Sequence, residues 1–179
     1  MTRGWLWPLA VCLAVCLTGA CHKSPPRGRL MGSLYRRGEV NFHVGVPGPS
    51  WKRIEARGGD LAWFEPRATA IMSVTATCHG HKDPPLEVLR SDLLLGTRDR
   101  RYLLEERIVL DSRDALHSVV MVTLDGVPMV YDLYVLKKDG CVYDLSLVSP
   151  PESYDLVADE FQHFVGDFHA GGSWASSAD

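Results

Sequence analysis

The sequence predicts an α+β domain: an antiparallel sheet with helices on both faces. Three observations predict it. Apolar runs of strand length at 102–110, 115–124, 127–136 and 141–148 follow one another, and Asp125-Gly126 and Asp139-Gly140 are tight hairpin signals between them. Amphipathic helix patterns flank this meander, one after Asp83 and one after Ser149. Several strands carry apolar residues on both sides, Leu133 and Val135 against Val130 and Leu136, and such strands need cover on both faces.

In chain order, Met1–Gly4 carries one basic residue, Arg3, and Trp5–Leu17 is apolar, interrupted by Pro8. A membrane span needs about 20 apolar residues, so a run this short followed by small residues reads as a secretory signal. No Arg-Arg pair marks a twin-arginine signal. Leu17-Thr18-Gly19-Ala20-Cys21 resembles a bacterial lipobox, with Thr18 where the pattern prefers Leu, Val or Ile. The expectation is cleavage before Cys21 and lipid on its thiol. Ordinary cleavage leaving a free Cys21, or an uncleaved anchor, are the alternatives. His22 follows in place of the aspartate of inner-membrane retention, which by analogy favours an outer membrane facing the periplasm.

The expected organisation is a signal peptide over 1–20, a flexible tether over 21–39, a folded domain over 40–169 and a disordered tail over 170–179. Lys23-Ser24-Pro25-Pro26-Arg27-Gly28 has no apolar periodicity, and about 15 flexible residues reach roughly 20 Å. Val40, Phe42 and Val44 alternate with polar residues as a strand. Pro47-Gly48-Pro49 ends it, Trp51 caps the core, and Gly58-Gly59 reads as a turn. Strands follow at 61–65 and 70–78, the second rich in β-branched residues. Asp83 as N-cap, Pro84 at the first position and Gly96 as terminator frame a helix striped by Leu86, Leu89 and Leu93. Asp111–Asp114 is a polar turn. Ser149-Pro150-Pro151-Glu152 has capping-box spacing, and Tyr154, Val157, Phe161, Phe164, Val165 and Phe168 then follow one helical stripe as core.

Without residues 1–20 the cysteines are Cys21, Cys78 and Cys141. With Cys21 lipidated, one pair is left, and an oxidising envelope favours its closure. A Cys78–Cys141 disulfide is expected, two buried thiols being the alternative. The formal net charge of −3 is too mild to argue for a nucleic-acid partner, and no RNA-binding signature appears.

Phe42-His43-Val44-Gly45-Val46-Pro47 with Trp51, Pro85-Leu86-Glu87-Val88-Leu89, and Phe161 to Phe168 are similar to the PsbP-like (Mog/PsbP-type) bacterial lipoproteins of uncharacterised function. So are Leu124–Pro128 and Leu136-Lys137-Lys138-Asp139-Gly140-Cys141-Val142-Tyr143-Asp144-Leu145. The resemblance covers about residues 40–168. It implies an α/β/α sandwich and carries over no catalytic residue, since relatives of this fold are mostly binding or assembly proteins.

Cys78-His79-Gly80-His81-Lys82-Asp83 holds metal-competent side chains, but three or four ligands from one short run need strain, and Asp83 is wanted as a cap. A plain surface loop is expected there, with no metal and no cofactor. No Gly-x-Ser-x-Gly elbow appears. With both Asp-Gly pairs as two-residue turns, Asp132 faces Leu147 and Asp144 faces Val135, so the two carboxylates form no dyad; each is expected on a partly solvated edge or beside an Arg or Lys. The sequence therefore predicts a non-catalytic module held to the membrane by lipid on Cys21. It would bind another envelope protein through the Trp51–Arg57 turn or the Cys78–Asp83 loop. A carrier of a small apolar ligand between sheet and helix is the second reading.

Overall fold

The computed structural model describes residues 28–55, 59–78 and 83–171. The strands are β1 (Arg29–Met31), β2 (Leu34–Arg37), β3 (Val40–His43), β4 (Lys52–Ile54), β5 (Leu61–Glu65) and β6 (Ala70–Thr77). Helix α1 (Leu86–Leu93) is followed by β7 (Arg98–Leu110), β8 (Arg113–Leu124), β9 (Val127–Lys138) and β10 (Cys141–Ser149). A 3₁₀ turn (Pro151–Leu156), α2 (Ala158–Gly166) and β11 (His169–Ala170) close the fold. Seven strands pair in the order β4-β5-β6-β10-β9-β8-β7, and four in the order β1-β2-β3-β11.

The meander is built as its turn residues dictate. Asp125 and Gly126 have φ of 49° and 85°, Asp139 and Gly140 52° and 77°. Positive φ at both turn positions matches the twist of the flanking strands, and the register follows: Leu124 opposes Val127 and Lys138 opposes Cys141. β7 forms one outer edge. It is exposed along most of its 13 residues, and two register shifts against β8 together with Arg98, Arg100, Arg101 and Arg107 blunt that edge against further pairing.

The expected sandwich with helices on both faces is not what the chain forms. The described residues are mostly antiparallel β-structure with three short helical segments. On one face α1 lays Leu86, Leu89 and Leu93 over Leu116, Val135 and Val142, covering β8 to β10. On the other, much of the cover is the small sheet. Tyr35 and Phe42 join Phe161, Phe164 and Phe168 against Trp63, Met72, Leu136, Tyr143, Leu145 and Leu147 in one core. A sheet face needs an apolar partner and not a helix as such; residues 29–43 supply it as strands.

That same pairing changes the expected tether. Residues 21–27 lie outside the described residues, but 29–37 are β1 and β2, and Tyr35 is 1% exposed. The folded part thus begins before Val40. Asp60 fastens the small sheet to the large one. It accepts from the Tyr35 hydroxyl at 2.8 Å, from Arg37 Nη2 at 3.1 Å and from the Ala76 backbone N–H at 2.8 Å. Arg37 Nη2 also donates to the Ala76 carbonyl at 3.0 Å. Burial first, then Asp60, pushes the Tyr35 hydroxyl up to about 12.

Two caps differ from expectation. Asp83 does not cap α1, which starts after Pro85 with no side-chain cap; Asp83 pairs with Lys137 Nζ instead, and Lys137 Nζ donates to the Pro84 carbonyl at 2.9 Å. Ser149 does not cap the last helix either: the first turn is 3₁₀ behind Pro150, and α2 starts only after Val157. Consecutive prolines supply no N–H donors there, and Val157 separates the 3₁₀ turn that carries Tyr154 from α2. The Cys78–Cys141 disulfide is present. It closes the β6–β10 pair just beyond the Thr77–Val142 match.

Candidate functional site

Three strands and the 3₁₀ turn bring a buried polar array together. Glu106 on β7 opposes His117 on β8, and His117 opposes Tyr134 on β9. Asp132, two residues before Tyr134, shares its face. His117 Nε2 lies 2.9 Å from Asp132 Oδ1, and Nδ1 lies 3.1 Å from Glu106 Oε1. The Tyr154 hydroxyl donates to Asp132 Oδ2 at 2.9 Å. The Tyr134 ring stacks on the imidazole with centroids 4.0 Å apart and planes 10° from parallel.

Asp132 is fully buried and His117 6% exposed, while the Glu106 side chain is 48% exposed. Burial works against a charged His117, but the Asp132 and Glu106 carboxylates outweigh it and hold its pKa above the ordinary value. Burial, then the Asp132 charge, raises the Tyr134 and Tyr154 hydroxyls as well, keeping both neutral. Protonated, His117 has one N–H for each carboxylate. The array ties the edge strand, the strand behind it and the C-terminal turn to one point.

Asp132 is thus not on a partly solvated edge. β7 and β8 lie outside β9, and Tyr154 closes over it. The expected register does hold: Asp132 opposes Leu147, and Asp144 opposes Val135. The two carboxylates point to opposite faces and do not meet. His117 is the residue the sequence reading missed. The signal was present: a two-residue turn at Asp125-Gly126 makes His117 the partner of Tyr134 and a diagonal neighbour of Asp132.

Asp144 faces the α1 side. Its Oδ1 is buried without a hydrogen-bond partner. Burial chiefly, then Asp92 on α1, pushes its carboxyl up to about 7. An acid raised above its unfolded value favours the fold while protonated, so this stability is full below the unfolded pKa of about 3.9 and is lost as pH rises through about 7. Asp144→Asn is expected to stabilise the protein by about 1–3 kcal/mol at pH 8 and by little at pH 4. Urea midpoints at both pH values check this.

The remaining sequence candidates separate. Cys78 and Cys141 are consumed by their disulfide. His79–Lys82 and Ala56–Gly58 lie outside the described residues, as do Cys21 and the tail from residue 172. Trp51 is buried at 6% exposure, and Lys52–Ile54 is an edge strand. Among the described residues no group of three His, Cys, Asp or Glu is placed to hold a metal ion. The second reading puts an apolar ligand between sheet and helix; on the α2 side Trp63 packs on Phe164 and Tyr134 on Phe161, centroids 5.4 and 5.8 Å apart. An open cleft of about 450 Å³ lies elsewhere, lined by Ser33, His43, Val44, Val46, Asp167 and His169.

No family model matches the sequence, and none of the curated proteins does. Solved structures do match the fold. One is LpqN, involved in cell envelope biogenesis of Mycobacterium tuberculosis, with TM-score 0.57 and 9% identity over 75% of this chain and 86% of that chain. Another is cyanobacterial PsbP (CyanoP) from Synechocystis, with TM-score 0.52 and 16% identity over 79% of this chain and 95% of that chain. A third, from Bacteroides thetaiotaomicron, has TM-score 0.53 and 12% identity over 84% of this chain, which spans 50% of that one. The sheet order, the buried C-terminal helix and these likenesses together give the domain a PsbP-like fold.

Proposed function

We propose that the chain is a lipid-anchored, non-catalytic module of a bacterial cell envelope that binds or helps assemble another envelope protein. The observation that carries the reading is the fold shared with LpqN and PsbP, set behind a sequence ending in the Leu17–Cys21 motif. Among the described residues no helix is long and apolar enough to cross a membrane. Anchorage falls to Cys21, whose several acyl chains hold a protein where one does not. The location that fits is the outer membrane, facing the periplasm.

Metabolic labelling with a palmitate analogue tests the anchor. The chain is expected to take label and to sediment with membranes, while Cys21→Ser takes none. An unlabelled wild-type chain removes the anchor. Crosslinking in intact cells tests the binding role: an envelope protein crosslinked to the wild-type chain and lost with Cys21→Ser is the expected result, and no crosslinked protein above background refutes it.

A further inference from the structure

The four-stranded sheet has one face turned away from the core. Its register assigns that face to Arg29 and Met31 on β1, Leu34 and Arg36 on β2, Asn41 and His43 on β3, and His169 on β11. Their alternates Tyr35, Phe42 and Ala170 point inward and are buried. Arg29 and Arg36 stand directly opposite each other, and both are exposed. Like charges in that position destabilise a sheet, and among the described residues neither has an acidic partner. At the hairpin tip, Met31 is 46% exposed and opposes Leu34. No strand position on this face is acidic. The acids at its margins include Glu39 in the β2–β3 turn, Asp111, which accepts from His169, Asp139 beside Gly171, which pairs with Arg113, and Asp167 beside the cleft.

The charge along the chain points the same way. In a sequence of net charge −3, the first acidic residue is Glu39. Lys23, Arg27, Arg29, Arg36 and Arg37 all fall between Cys21 and it, and of the described ones Arg37 is taken by Asp60. Arg29 lies eight residues after Cys21, a contour of at most about 29 Å.

We infer that the outer face of the small sheet docks on the surface of an anionic phospholipid bilayer. Arg29 and Arg36 meet headgroup phosphates, and Met31 and Leu34 enter the interface between them. Cationic side chains near an anionic leaflet are drawn to it within a Debye length, and a short link to Cys21 keeps this face there. The inference rests on the proposed anchor for that proximity alone.

The test uses residues 21–179 with Cys21→Ser, which keep every core contact among the described residues and carry no lipid. Sedimentation is measured with phosphatidylcholine vesicles, with or without about 30 mol% phosphatidylglycerol. Binding to the anionic vesicles is expected to exceed that to neutral ones at least about five-fold and to vanish near 0.5 M salt, roughly. Arg29→Glu/Arg36→Glu should bring it to the neutral level. Lys52→Glu/Arg53→Glu, an equal charge change on β4, should leave it intact, with both variants keeping wild-type circular dichroism. Equal binding to both vesicles, or equal loss in both variants, overturns the inference. Palmitate labelling reads the anchor separately: label without anionic preference removes this face, and anionic preference without label supports the face while removing the anchor.

Discussion

Asp132→Ala is expected to cost about 3–5 kcal/mol, the scale of a buried charge left without its partner. The carboxylate meets His117 at 2.9 Å and Tyr154 at 2.9 Å. Its removal leaves a buried imidazolium leaning on Glu106 alone and a half-buried phenol without its acceptor. The loss should depend on pH. The folded pKa of His117 is raised, so its contribution is full below the unfolded value of about 6.5 and fades as pH rises through the folded value. Denaturant unfolding should therefore show a larger gap between wild type and Asp132→Ala at pH 6 than at pH 9. A gap under about 1 kcal/mol at pH 6 would show that the array carries little of the stability.

The second large effect belongs to the disulfide. Cys78 and Cys141 are 63 residues apart in sequence, and in the chain-entropy model closing a loop of that size is worth about 4 kcal/mol. The double variant Cys78→Ala/Cys141→Ala should lose about that much in guanidinium unfolding under non-reducing conditions, and reduced wild type should approach it. The loop so closed contains α1 and most of the meander, so the loss should appear in the whole unfolding transition and not as local fraying. A midpoint unchanged by reduction would show that strand pairing alone sets the stability.

Legibility followed the length of the periodic signal. The four meander strands announced themselves because each runs for nine residues or more between Asp-Gly or polar turns. β1 and β2 were hidden because only Leu30 and Tyr35 mark their inner face among Arg and Gly. β4 buries none of its three residues, so no alternation could show it, and β11 has two residues. The layer opposite α1 was misjudged for the same reason: apolar faces on both sides of a strand require cover but do not say whether helix or sheet supplies it. The disulfide was legible from cysteine count. The His117 array was legible only once turns fixed the register, because a lone histidine in an apolar run carries no signal by itself.

The Asp60 clamp has a mechanical consequence. Among the described residues, a pull from the N-terminal side is expected to load the β1–β2 ladder from Arg29, one hydrogen bond at a time, as a zipper. The edge strand β1 yields first. The load then meets Arg37, whose guanidinium holds both Asp60 and the Ala76 carbonyl, and there it spreads across β6 into the seven-stranded sheet. Only β1 can peel ahead of that ion pair, because Tyr35 on β2 already belongs to the buried core.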